Sequence, residues 1–401
     1  MRCASALSTI RNSDAAIREV IDRVATAFEG EPADLAVVFA SIHHADVLGR
    51  VGSELKARGL GRHIIGCTGE TVIGDGREIE SEPALSVWAI RLEGAEIQPI
   101  RIDTSTDGID ALQGFASGPD SILILGDPFS FAPDPWLQKL QAVAPGLRVM
   151  GGMASASQVP RQNRLLLDGT VFDDGAVGVA LGGSVAIRSL VSQGCRPIGR
   201  PMIVTRAEKN LIRDLGRRPC LEVLREVFEE LPEADQERVQ SGLHIGRVIN
   251  EYQDSFRRGD FLVRNVMGAD ETGGIAITDL VKVGQTVQFH VRDSETADED
   301  LRSMIDAERI DRPRSKVAGA LLFSCNGRGS RLFDEPDHDV AVLQSKFGPI
   351  PVAGFFAMGE IGPVGGQNFV HGYTASMVLF EERDANPEPG PLTGRLDQPD
   401  E

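Results

Sequence analysis

Three times along the chain, a short apolar run is followed by a helix-forming stretch and then by a second apolar run that contains glycine. The first copy reads "LAVVFAS", "HHADVLGRVGSELKARG" and "HIIGCTGETVIG". The second reads "SILILGDPFS", "DPWLQKLQAVA" and "LRVMGGMAS", and the third "GALLFSCNGRG", "DHDVAVLQSKFG" and "IPVAGFFAMGEIG". Each copy closes on a further strand-like run, "ALSVWAIRL", "GAVGVALGG" and "YTASMVLFE". Gly66, Gly151 and Gly354 fall roughly thirty residues after the start of the first run, the length of one β-α-β unit. The spacing predicts an α/β fold of repeated β-α-β-β units in two halves, forming a mixed-sheet, two-domain architecture. The three glycines are expected at turns, where the second strand breaks.

The region between the second and third copies differs. "GSVAIRSLVSQGCRPIGRPMIVTRAE" reads as β-rich, "PCLEVLREVFEEL" as a helix, and "FLVRNVMG", "GGIAITD" and "TVQFHVRD" as strands. The expected division is an N-terminal domain over 1–200 holding two units, a C-terminal domain over 201–383 holding the third, and a disordered tail over 384–401. That tail, "ANPEPGPLTGRLDQPDE" after the Asp at its head, is rich in Pro, Gly and charge.

A net charge of −18 over 401 residues argues against non-specific binding to nucleic acid or anionic membranes, both of which need a basic face. The five cysteines are scattered, with no CxxC, which is the usage of a reducing compartment. The N-terminus lacks an apolar signal core, and no run is long enough to span a bilayer. A soluble cytoplasmic protein is expected. Neither a P-loop nor a dinucleotide fingerprint occurs, so no cofactor is expected, and no metal site is read.

The stretch "VAGFFAMGEIGPVGGQNFVHGYT", Val352 to Thr374, packs six glycines, one carboxylate, one Asn and one His into 23 residues. Its glycines, among them Gly359 and Gly365, are expected to form a rim whose backbone amides face a ligand, with the adjacent Phe355 and Phe356 in the wall. Glu360 is the carboxylate of that rim, and Glu70 follows Gly69 at the matching place in the first copy. Either suits a ligand ammonium, or an internal arginine. Asn368 and His371 complete the polar set there. In "SCNGRG", Asn326 sits at a strand end and Arg328 can hold a carboxylate bidentately. In "QGCRPIG", Cys195 and Arg196 precede the rigid Pro197. Each has a bland alternative: a turn cap, a solvated turn, or a buried structural thiol.

Several of these segments resemble a known family. "QGCRPIG", "LLFSCNGRG" and "PVAGFFAMGEIGPVGGQNFVHGYTASMVLF" look like signature segments of the FIST family, and "CASALSTIRNSDAAIREV" and "VVFASIHHADVLG" resemble the start of its N-terminal half. The resemblance runs from about Arg2 to about Glu381. It implies a small-ligand-binding sensory protein of signal transduction, with amino acids or their derivatives as ligands. Many members carry a fused output module, and a eukaryotic F-box protein carries a similar region. Nothing outside the two FIST portions is long enough to be an effector, so a separate signalling partner is expected. The expected function is therefore binding of a small polar metabolite, without catalysis. The alternatives are a hydrolase using Cys325 with His371 as base, and a ligand-free interaction scaffold.

Overall fold

The computed structural model describes residues 1–253, 255–256, 259–312 and 315–382. The tail expected over 384–401 lies outside them. Each of the three copies is one structural unit with the same order of parts. The first has an edge strand Arg2–Ser8, a helix Ser13–Phe28, a first core strand Leu35–Ala40, a helix Leu48–Ala57 and a second core strand His63–Thr68. A hairpin, Thr71–Gly74 with Arg77–Glu80, and a closing strand Leu85–Arg91 follow.

In the second unit the edge, core and closing strands are Ala95–Ile102, Pro119–Gly126, Arg148–Met153 and Ala176–Gly183, with the hairpin Leu165–Leu167 and Thr170–Phe172. In the third they are Ala186–Ser192, Val317–Cys325, Val352–Ala357 and Ala375–Glu381, with the hairpin Glu360–Val364 and Gln367–His371. Within each unit the order across the sheet is edge, closing, first core, second core, and only the two core strands run parallel.

The hairpins do not pair with their own unit. The first unit's hairpin adds to the third unit's sheet, the second's to the first's, and the third's to the second's. Each sheet therefore reaches six strands only by accepting two from a neighbour, and the three units close into a ring.

The repeat glycines sit where this exchange happens. They are not turn residues, as expected from sequence, but lie mid-strand. Gly66 is opposite Val38 on one side and Leu166 on the other, Gly151 opposite Ile124 and Ile361, and Gly354 opposite Leu322 and Ile73. A Cβ would fall 2.4 Å from the Val38 carbonyl oxygen at Gly66, and 1.8 Å from the Ile124 and Leu322 oxygens at Gly151 and Gly354. What approaches the backbone at these positions is the neighbouring strand.

Inner faces of all three sheets share one core, in which Phe39 packs against Phe355 and Phe323 at centroid distances of 5.2 and 6.2 Å. Phe355 and Phe356 are fully buried core residues, not the wall of a site. Helices cover the outer faces; Ala16, Ile17, Val20, Ile21, Val24 and Phe28 of the helix Ser13–Phe28 face inward, while Ala27 is exposed. Polar staples tie the units together. The Ser155 hydroxyl accepts from Glu70 N, at 2.9 Å, and donates to the Phe356 carbonyl, so one side chain joins all three. Glu78, on the first unit's donated hairpin, accepts from Val340 N at the start of the third unit's helix His338–Phe347, at 2.9 Å.

Between the third unit's edge strand and its first helix, Ser294–Asp311, a separate module is inserted. Its seven strands run from Arg196–Glu208 to Thr286–Val291, with helices Cys220–Glu230 and Glu233–Ser241 and a core of its own. The expected division at residue 200 falls inside the strand Arg196–Glu208.

Gly354→Ala is expected to cost at least about 3 kcal/mol, because the clash is with backbone and no side chain can yield. Gly242→Ala meets only a 3.7 Å contact with His244 and is expected to stay within about 0.5 kcal/mol of wild type. Denaturant unfolding of both variants checks this; equal stabilities would mean that the strand contact is not what demands glycine.

Candidate functional site

The module leaves the core through residues 193–195 and returns through residues 292–293, and its first and last strands pair Arg196 with Val291, so the two crossings lie side by side. Beside them a cavity of about 560 Å³ opens between module and core. Cys325 and Asn326, at the end of a core strand, line it together with Gly359, His371 and Tyr373; Arg264, Asn265 and Asp279 line it from the module. A second cavity of about 1000 Å³ continues along the helix Pro133–Val143 and shares Asp134, Arg264, Thr278 and Asp279 with the first, so the two form one cleft. Its position beyond the carboxyl ends of parallel strands follows the rule for α/β sheets.

Charges of both signs meet there. Asp279 accepts from Arg264 Nε at 3.1 Å and from Arg247 Nη2 at 3.4 Å, while Arg264 Nη1 donates to the core carbonyl of Val370 at 3.0 Å. Asp134 adds an exposed carboxylate from the helix start. The Tyr373 hydroxyl donates to Asn265 of the module, and its ring stands edge-on to His244 at 4.5 Å.

Of the residues singled out from sequence, Asn326, Gly359 and His371 line the first cavity and Asn368 lines the second. Asn326 Oδ1 is buried with no hydrogen-bond partner. His371 lies in the cavity wall with Nε2 bonded to the Gly362 carbonyl at 3.0 Å, and burial lowers its pKa to about 4. No hydrogen bond joins it to Cys325, whose sulfur instead accepts from Gly327 N at 3.5 Å. Burial, and next Glu360, push that thiol up to about 11.

Glu360 stands behind this wall, fully buried. Its Oε2 accepts from Thr374 N and Oγ1 at 3.1 and 2.7 Å, and its Oε1 has no partner. Burial raises its pKa to about 8, so near neutral pH it is mostly uncharged and poorly suited to an ammonium.

The others, and Asn368 besides, serve the scaffold. Glu70 forms an ion pair with Arg331. Arg328 is fully buried and holds Asp339 through Nε and Nη2 at 2.6 and 2.8 Å. Arg196 pairs with Asp235 at 2.5 Å, and Cys195 is buried at the module's entry, with its thiol pushed up to about 12 by burial. Asn368 accepts from Val149 N and donates to Leu147 O, at 2.9 and 2.7 Å, fixing the donated hairpin to its host strand. Gly365, with Gly366, makes that hairpin's turn at φ 58° and 78°. The expected rim of ligand-facing amides is thus a β-hairpin whose backbone is engaged in pairing.

Residues 34–218 match the FIST N domain and residues 220–363 the FIST C domain. The chain belongs to the FIST family. An uncharacterized protein of Mycobacterium tuberculosis is 40% identical over 385 residues, covering 95% of this chain and 100% of the relative. An uncharacterized protein of Mycobacterium bovis is likewise 40% identical over 389 residues, covering 95% and 99%.

FIST domains are sensory domains of signal transduction. In this one the cleft takes Asp134 and Gln158 from the FIST N match, and Arg264, Cys325 and Gly359 from the FIST C match. The module residues were missed from sequence because Arg264 and Asn265 sit in an ordinary strand, with no motif to mark them; only their polarity within "FLVRNVMG" sets them apart.

A buried acid whose pKa is raised contributes stability that is fully present below its unfolded pKa, 4.5, and is lost as pH rises through about 8. The melting temperature of wild type relative to Glu360→Gln is therefore expected to fall between pH 5 and pH 9, the range that brackets this titration. A difference that is flat across that range would place an ionised carboxylate at Glu360 throughout.

Proposed function

We propose that this FIST protein is a sensor that binds a small polar ligand in the cleft between its three-unit core and the inserted module, and acts through a separate signalling protein. The observation that carries this reading is the placement of the cleft beside both module crossings. A ligand there touches both bodies at once, and can favour one arrangement of them over another, which is what a sensor requires. Asp134 from the core and Asp279 and Arg264 from the module supply opposite charges on the two sides of the cleft, suited to a metabolite that carries both. An amino acid or a derivative is a ligand of this kind.

Binding without turnover is the favoured reading. The hydrolytic alternative needs a base on Cys325, whereas the His371 imidazole bonds the Gly362 carbonyl and not that sulfur, and burial lowers its pKa to about 4, which leaves it a weak base. We place the protein in the cytoplasm, in keeping with five free cysteines. Among the described residues no helix is long and apolar enough to cross a membrane.

A thermal-shift screen of amino acids, amines, nucleotides and carboxylates tests the reading. A ligand at a hundredfold excess over its dissociation constant is expected to stabilise by about 2.7 kcal/mol. Asp134→Asn, at an exposed position, is expected to leave the ligand-free melting temperature unchanged and to weaken an ammonium-bearing hit about tenfold. Cys325→Ser is expected to bind as wild type does. Silence across the panel would favour the interaction scaffold, and turnover lost in Cys325→Ser would favour the enzyme.

A further inference from the structure

Arg292 is the residue at which the module's last strand returns to the core. Its guanidinium lies 4.8 Å from the centroid of the Tyr373 ring, and Nη2 donates to the Gly327 carbonyl at 3.0 Å. Its Nε is buried and has no hydrogen-bond partner. Other mostly buried arginines nearby are matched by acids: Arg328 by Asp339, Arg264 by Asp279, Arg196 by Asp235. Among the described residues Arg292 forms no such ion pair; the electrostatic neighbours that move it are Cys325, Arg328, Cys195 and Tyr373, and the one carboxyl that feels its charge in turn without pairing with it, Glu360, is mostly uncharged near neutral pH. A largely buried cation without an anion is costly, and it marks a place where one is expected to bind.

Tyr373 stands between this cation and the cavity. It lines the cavity on one side and covers the guanidinium with the other. Its backbone is held at φ 69°, in the left-handed region that side-chain-bearing residues rarely adopt. Its contacts are with the module: the hydroxyl with Asn265, the ring with His244 and Arg292. His244 and Asn265 are themselves paired across two module strands. One core side chain is therefore gripped by three module residues at the point where the module is hinged.

Resting on the ligand-binding reading above, we propose that the ligand of this cleft carries a carboxylate that pairs with Arg292. That pairing displaces the Tyr373 ring from the guanidinium and releases its hold on Asn265. A planar carboxylate matches the parallel N–H donors of a guanidinium and brings the single negative charge that one guanidinium balances. A phosphate dianion would leave charge uncompensated. Asn326 Oδ1, without a partner and next to Cys325 in the cavity wall, offers an acceptor to a donor on the same molecule.

The chain has two tyrosines, Tyr252 and Tyr373. Full-length protein labelled with fluorotyrosine gives one fluorine resonance for each, and Tyr252, 99% exposed, is an internal control. Titration with acetate, and with the carboxylate hits of the thermal screen, is expected to shift the Tyr373 resonance saturably. Sodium chloride at matched ionic strength is expected to leave it in place, and Tyr252 should not respond. Arg292→Lys keeps the charge and loses the fork, so affinity is expected to fall about tenfold or more. Tyr373→Phe, which frees Asn265, is expected to bind the same carboxylates more tightly. A thermal hit that leaves the Tyr373 resonance unmoved, or that binds Arg292→Lys as it binds wild type, overturns this inference while leaving the sensor reading intact. Absence of any hit removes both.

Discussion

The contact that the rest of the molecule depends on is the side-chain-free crossing of strands at Gly66, Gly151 and Gly354. At each one a core strand lies between its own unit's parallel partner and a hairpin donated by another unit. Without a Cβ the backbones close to a distance that any other residue would block. Because every unit both gives and receives a hairpin, none can complete its sheet alone. The three share one inner core, with Phe39, Phe323 and Phe355 at its centre. Such a ring has little freedom to rearrange internally, since shifting one hairpin would strip hydrogen bonds from two units at once.

If a ligand moves one body against the other, as proposed above, that rigidity makes the module the moving part. The module is attached by two adjacent crossings, and it carries its own core, so its motion relative to the ring breaks no sheet. Gly194, in the entry crossing, has φ 63° and is hemmed in by the Arg328 guanidinium and Ala297, which fixes the path of the chain at the pivot. Arg328 in turn is locked to Asp339 in a fully buried bidentate pair. Removing one partner of such a pair costs about 3–5 kcal/mol, so this arginine serves as an anchor under the hinge.

The repeat was legible because its signal is local: apolar runs of strand length, helical spacing and a recurring glycine each reflect backbone geometry within a few residues. The role of those glycines was not, since a mid-strand glycine and a turn glycine look alike until the partner strand is known. Asn326, Gly359 and His371 were legible as residues of the cleft wall because strand ends and polar groups in apolar surroundings gather in clefts. Glu360 was legible as unusual, yet its burial, which leaves it mostly neutral, depends on packing that no spacing reports. Arg292 and Tyr373 were illegible for a related reason. Each is unremarkable in sequence, and their meaning lies in a missing acid and a strained φ.

A sensor of this design needs only a modest coupling. Hydrogen bonds to a charged group contribute about 1.5–3 kcal/mol, and allosteric coupling free energies are about 1–3 kcal/mol. An anion at Arg292 therefore supplies enough to shift an equilibrium that is balanced within that range, provided it binds only when Tyr373 has moved. The strained Tyr373 backbone narrows the gap between the two states by raising the energy of the closed one. The ring's contacts with Arg292, Asn265 and His244 lower it again. On the proposal above, the closer those two terms come to cancelling, the smaller the charged contact that is needed to decide between the two states.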